Sequence, residues 1–521
     1  MPDKFFTCEA ALDLIRDGDT IAVGGFVGIG HPEALTRGIE EQFLQKGFPR
    51  ALTLIYGAGQ GDRGQRGLNH FAHDGLVRRV IGGHWGLAPK LCTMAIEGRF
   101  EAYNWPQGVI IHMFRDIAAG KPGTITSVGL HTFVDPRLDG GRVNKDATPE
   151  DLIQVIHLAG KDYLFYPRQQ VDIGLIRGTT ADPEGNISME REAVYGEMLA
   201  IAQTARNCGG KVIVQVEQKV NSRLPMKLVR VPGVLVDAVV VADPDDHWQT
   251  FGGKFEPAFI SDKTDEILQV QPCPLDERKI IARRAAMELR SGDVVNLGIG
   301  MPETVAAVAA EEKIFDKFTL TVETGVFGGV PAGKLDFGAS YVPTAIIDSP
   351  AMFDFYDGGG LDCACLGTAQ IDARGNVNVS RFGNQMPGAG GFINISQNAR
   401  RIIFCGTFTV GGLKVEAEGG SLRILQEGRA GKFVDQVEQI TFNGPYVRQT
   451  GRRVLYITER AVFELNEEGL VLTEIAPGID LETDVLAQMG FRPQISSDLK
   501  TMDERIFSDA PMGLKETIAA R

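Results

Sequence analysis

The sequence predicts an α/β protein built of two tandem, related open α/β domains. Three observations predict it. Apolar strand-like runs end in glycine turns that lead into helical stretches, as in Thr20-Ile-Ala-Val-Gly24-Gly25 and Val294-Val-Asn-Leu-Gly298-Ile-Gly300; that alternation is the signature of a strand–turn–helix sheet. The plan occurs twice: Gly18-Asp19, an apolar strand and Gly28-Ile-Gly30-His-Pro32-Glu33 return as Gly292-Asp293, a strand and Gly298-Ile-Gly300-Met-Pro302-Glu303. And 521 residues exceed what one hydrophobic core normally serves.

Two further pairs keep the same order. Leu52-Thr-Leu-Ile55-Tyr-Gly57 lines up with Leu320-Thr-Val-Glu323-Thr-Gly325, which sets Ile55 against Glu323. Gly185-Asn186-Ile lines up with Gly375-Asn376-Val. Three matches in order indicate a duplicated unit. The boundary is expected near Val270-Gln-Pro272-Cys-Pro274, where prolines punctuate the chain, giving domains 1–272 and 273–521.

The elements follow in order. Residues Phe5 to Arg16 show helical spacing, and Asp17-Gly18-Asp19 is a turn. Thr20 onward is a strand. Pro32 suits the first turn of a helix carrying Ala34, Leu35 and Ile39. Thr53 to Tyr56 and Val77 to Ile81 are strands ending in glycines, and Val234 to Ala242 reads as a buried strand. Residues 445–521 look smaller and partly separate, with strands at Arg453 and Ala461 and a turn at Asn466-Glu-Glu-Gly469. Asp480 is a helix cap, with Gly490 and Pro493 beyond the helix end.

A net charge of −14 argues against a nucleic-acid or anionic-membrane partner, because such surfaces require a basic face. No run of about 18 apolar residues occurs to span a membrane, and the first twenty residues hold no apolar signal core. Seven scattered cysteines, an odd number, point to free thiols in a reducing cytoplasm. Cys363 and Cys365 would share one face of a strand, with no second pair to complete a metal site, so no metal is expected. His70 and His73 have i, i+3 spacing without a third ligand, and the eight histidines read as structural or solvent-facing. Neither HExxH nor G-x-S-x-G occurs, which disfavours zinc hydrolysis and the serine triad.

The candidate chemistry centres on Glu323. It stands where a buried strand meets its loop, the edge at which α/β sheets bind ligands. A carboxylate among Val322, Val326 and Phe327 is costly to bury unless something uses it. The turn at Ile299 and Gly300 lacks the G-x-G-x-x-G spacing and a Walker lysine, but presents backbone N–H groups at a helix start, suited to an anion or a developing oxyanion. Gly388, Gly390 and Gly391 form a second cluster, where a ligand could lie against bare backbone.

Glu323-Thr-Gly325, set between those two glycine turns, resembles the E-x-G motif of the family I CoA-transferases, in the acetate/propionate CoA-transferase branch. The resemblance covers nearly the whole chain. It implies the CoA-transferase fold, Glu323 as catalytic glutamate, and oxyanion-hole amides from Ile299 and Gly388 to Gly391. It also implies a ping-pong exchange through a glutamyl-CoA thioester, acyl-CoA and short-chain carboxylate as substrates, no cofactor, and a homo-oligomer, as close relatives are tetramers. Arg381, Arg400 and Arg401 are candidate donors to the CoA phosphates. An acyl-CoA hydrolase on the same scaffold and a non-catalytic CoA or sugar-phosphate sensor are the alternatives.

Overall fold

The structure is a computed structural model that describes residues 3–261 and 273–518. The boundary expected at Val270–Pro274 lies largely outside the described residues. The chain forms two compact units. One comprises Met1–Thr264, Val322–Asp354 and Gly383–Asn394; the other comprises Asp265–Thr321, Phe355–Phe382 and Ile395–Arg521.

In the first unit, strand Thr20–Val23 lies between Leu52–Tyr56 and Ile173–Ala181, parallel to both. Val77–Gly82 and Glu101–Asn104 extend the sheet one way, Lys211–Lys219 and Ala238–Val241 the other, all parallel. Strands 20–23 and 52–56 are buried throughout, as a sheet covered on both faces requires. The second unit repeats the centre of this pattern: Val294–Leu297 lies between Thr319–Val322 and Cys363–Gly367, followed by Arg401–Cys405 and Arg453–Ile457, all parallel.

The repeat extends to individual hydrogen bonds. Asp172 and Asp362 each accept a backbone N–H from the start of the central strand, Thr20 at 2.9 Å and Val294 at 3.0 Å. Asp182 accepts the N–H groups of Glu184 and Asn186; Asp372 accepts those of Arg374 and Asn376. Asn186 then accepts the Gly233 N–H, as Asn376 accepts that of Gly444. The Gly-Asn pairs read in the sequence are thus two copies of one loop-closing device. Each aspartate satisfies backbone donors that would otherwise be orphaned. Asp182→Ala and Asp372→Ala are each expected to lower stability by about 2 kcal/mol in urea denaturation.

Four expectations change. The first helix is only Cys8–Leu12, capped by Thr7. The strand expected at Val234–Ala242 is Ala238–Val241; before it the chain turns at Gly233–Leu235, where Val234 is 73% exposed. Residues 445–518 are not separate. Arg453–Ile457 adds to the sheet, Ala461–Asn466 and Gly469–Ile475 follow antiparallel, and Gln494–Thr501 pairs parallel to the last of these. The helix after Asp480 is one wide turn, Leu481–Val485, capped by the Asp480 side chain on Thr483 N–H, and a shorter turn, Leu486–Gln488.

Register also corrects the match of the copies. Thr53 donates to Asp19 O and Thr319 to Asp293 O, so Thr53 corresponds to Thr319. Ile55 therefore corresponds to Thr321, and Glu323 to Gly57. The carboxylate does not replace a core isoleucine. It stands one residue beyond the strand, where the first copy has a glycine whose added Cβ would lie 2.8 Å from Ile111.

Candidate active site

Strand Thr319–Val322 delivers Glu323 to the carboxyl edge of its sheet. Its flanking residues Val322 and Val326 join an apolar cluster with Phe26, Val27, Ile29, Ala58, Phe259, Phe337 and Ala339. This packing draws the segment after Thr321 into the compact unit of the first half. The Phe26 and Phe337 rings meet at 5.5 Å between centroids. Glu323 itself is 8% exposed, and its carbonyl accepts the Ser349 hydroxyl at 3.2 Å.

The Gly388–Gly391 loop lies in the same unit as Glu323. Trp85 N–H and Gly86 N–H donate to Pro387 O, Ala389 N–H donates to Asn104 Oδ1, and Gly390 N–H donates to Gly83 O at 2.7 Å. Gly388 and Gly390 have φ of +82° and +53°, which glycine adopts without strain. The Gly390 amide is thus committed to shaping the loop. The Gly388 and Gly391 amides have no hydrogen-bond acceptor among the described residues.

The Ile299 turn belongs to the other unit and follows strand Val294–Leu297. Gly298 N–H donates to Cys365 O at 2.8 Å. Burial raises the pKa of the Glu303 carboxyl, and the nearby Gly300 backbone opposes that rise. Arg278 holds the Gly300 carbonyl at 2.7 Å. The Ile299 N–H is left without an acceptor among the described residues, on a residue 54% exposed.

The first copy shows what such an amide attracts. Gly24 N–H donates to Leu175 O as Gly298 does to Cys365 O, so Gly25 corresponds to Ile299. Gly25 N–H donates to Glu197 Oε1 at 3.2 Å. Glu197 precedes helix Met198–Asn207; Gly391 precedes the matching helix, Phe392–Asn398. A carboxyl group thus fills the amide position in the first copy.

Other sequence candidates resolve into structural roles. His70 lies between Glu33 and Glu40, and His73 bonds Glu40 at 2.6 Å. Burial opposes the His70 charge, but the two carboxylates outweigh it and raise its pKa. Among the described residues no group of His, Cys, Asp or Glu is arranged to hold a metal ion. Arg401 pairs with Asp293 and Arg400 with Asp362, so both are engaged within the protein. Sequence reading missed the buried network Asn296–Tyr356–Thr321 behind the end of the strand, with Tyr356 Oη donating to Thr321 Oγ1 at 2.8 Å. At the corresponding positions the first copy has Ala22 and Ile55, so the signal was present once the copies were set in register.

The Coenzyme A transferase family model matches residues 7–242 and 278–485. The chain is 46% identical to the caffeate CoA-transferase of Acetobacterium woodii over 518 residues, 98% of each chain. It is 45% identical over 510 residues to the acetate CoA-transferase YdiF of Escherichia coli K12, covering 97% of this chain and 96% of that one. The solved thioester complex with CoA of the acyl-CoA transferase YdiF from E. coli O157:H7 superposes with a TM-score of 0.92 at 44% identity, over 98% of this chain and 97% of that one. No helix among the described residues is long and apolar enough to cross a membrane. Two repeated α/β sheets, a strand-end glutamate and glycine turns with open amides, together with these matches, establish that the chain belongs to the coenzyme A transferase family.

Proposed function

We propose that the protein transfers CoA from a short-chain acyl-CoA to a carboxylic acid such as acetate or propionate, by ping-pong exchange through a thioester on Glu323. The observation that carries the reading is a nearly buried glutamate at a strand end, where the other copy has only Gly57. The ionised Glu323 carboxylate attacks the acyl carbon and the CoA thiolate leaves, giving a mixed acyl–glutamyl anhydride. The thiolate then attacks the glutamyl carbonyl, releasing the first acid and leaving a glutamyl-CoA thioester. A second carboxylate reverses the sequence. The apolar residues flanking Glu323 favour exchange over hydrolysis by keeping water out.

The thioester complex named for the YdiF structure supports the same intermediate here. The relatives differ in the acid they are named for, caffeate or acetate. The enzyme is proposed to work in the cytoplasm as a homo-oligomer, a tetramer by the same resemblance, which light scattering would test. Its two copies are proposed to divide as 1–272 and 273–521.

Each tetrahedral step develops an oxyanion. Ile299, Gly388 and Gly391 are the proposed donors, because the Gly390 amide is already bonded and the Gly300 backbone acts on the Glu303 carboxyl. Ile299→Pro removes one N–H and is expected to lower kcat by about 10²- to 10³-fold. A variant with unchanged kcat would exclude that amide. The test of the whole reading is mass spectrometry of protein incubated with acetyl-CoA and then treated with borohydride or hydroxylamine. Modification confined to Glu323 is expected. Product analysis with and without acetate separates transfer from hydrolysis: a transferase turns propionyl-CoA into acetyl-CoA and free propionate only when acetate is present, whereas a hydrolase releases free CoA either way.

A further inference from the structure

The peptide on either side of Glu323 is held by two buried hydroxyls. Ser349, 2% exposed and the first residue of helix Ser349–Asp357, donates through Oγ to the Glu323 carbonyl at 3.2 Å. Its own N–H donates to Gly196 O at 2.9 Å, which ties the glutamate to the chain beside Glu197. Thr324, 1% exposed, donates through Oγ1 to Gly338 O at 2.6 Å. Gly325 closes the turn: its N–H reaches Val322 O at 3.1 Å, its carbonyl takes the Ile347 N–H at 2.8 Å, and its φ is +117°. A Cβ there would lie 1.9 Å from Ile347 O, so the third residue of the motif has to be glycine.

The pattern of these bonds is informative. Both hydroxyls act on main-chain carbonyls, Ser349 on that of Glu323 and Thr324 on that of Gly338. In the proposed reaction the Glu323 carboxylate passes from free anion to anhydride to thioester and back. Holding the backbone fixes where the nucleophile starts.

We propose that Ser349 and Thr324 are positioning residues for Glu323, fixing its main chain so that the carboxylate meets the acyl carbon within attack distance. The proposal rests on the reading of Glu323 as nucleophile. A displacement of about 1 Å at a reacting centre can cost on the order of 100-fold in rate. Ser349→Ala and Thr324→Val are therefore expected to slow single-turnover formation of the Glu323 adduct by about 10- to 100-fold. The KM for acyl-CoA should change less than about twofold, because neither residue is assigned a contact with CoA. Thr324→Ser keeps the hydroxyl and should recover most of the rate.

The experiment measures adduct formation by quenched-flow mass spectrometry, with thermal unfolding recorded for each variant. Slow adduct formation at near-native KM, restored by Thr324→Ser, supports positioning. Folded variants that form the adduct at the wild-type rate overturn it while leaving Glu323 as nucleophile. Equal loss in Thr324→Ser and Thr324→Val also overturns it, since the hydroxyl would then not be the active feature. A wild-type enzyme that exchanges CoA with no adduct on Glu323 overturns both this and the underlying reading.

Discussion

Glu323→Gln is expected to abolish CoA exchange, with kcat at least about 10⁴-fold lower and no covalent adduct after incubation with acetyl-CoA. The amide oxygen is a poor nucleophile, and an amide cannot become the carboxylate that leaves from the anhydride. The fold should survive, because the substitution preserves shape and the Glu323 carbonyl still accepts the Ser349 hydroxyl. Glu323→Ala serves as the control for slow deamidation of the glutamine. Glu323→Asp keeps the carboxylate but withdraws it by one methylene, and should retain activity intermediate between wild type and Glu323→Gln, because nucleophile placement matters as well as charge. Full exchange activity in the glutamine variant, with intact mass confirming the substitution, would end the assignment.

The second large effect concerns Glu197. Its carboxyl is fully buried in the first copy, held by the Gly25 N–H, and burial raises its pKa from 4.5 to about 7. The folded protein therefore holds this proton at pH values where the unfolded chain has released it. A carboxyl with a raised folded pKa contributes stability that is fully present below about pH 4.5 and is lost as pH rises through about 7. A shift of this size corresponds to about 3 kcal/mol. Glu197→Gln keeps a neutral acceptor for Gly25 and cannot ionise. Its stability between pH 5 and 8 should fall less steeply than that of the wild type by roughly that amount. Parallel curves for the two proteins would show that another group titrates.

Much of the architecture was legible in the sequence because it rests on local chemistry. Glycine ends a strand wherever the chain must turn with positive φ or pass close to a neighbour, and Gly18 and Gly292 sit at matching places with φ of +80° and +88°. The Gly-Asn pairs were recognisable for the same reason: aspartate and asparagine close their own loops over a few residues. The misreadings were of a different kind. Val234 is apolar, yet it lies in an exposed turn, because Pro232 and Gly233 decide the backbone before hydrophobicity does. The match of Ile55 to Glu323 failed because sequence similarity alone sets no strand register. The ladder from Asp19 to Thr53 and from Asp293 to Thr319 does.

By itself the sequence determined the duplicated α/β plan, the strand-end position of Glu323 and the two glycine turns, since each follows from residue type and short spacing. Tertiary structure alone decided which amides stay open, that Ser349 and Thr324 grip the backbone on either side of the glutamate, and that Glu197 fills the matching amide of the first copy. Those outcomes depend on hydrogen bonds between residues far apart in the chain. A donor's availability is set by what folds against it, and no local pattern records that.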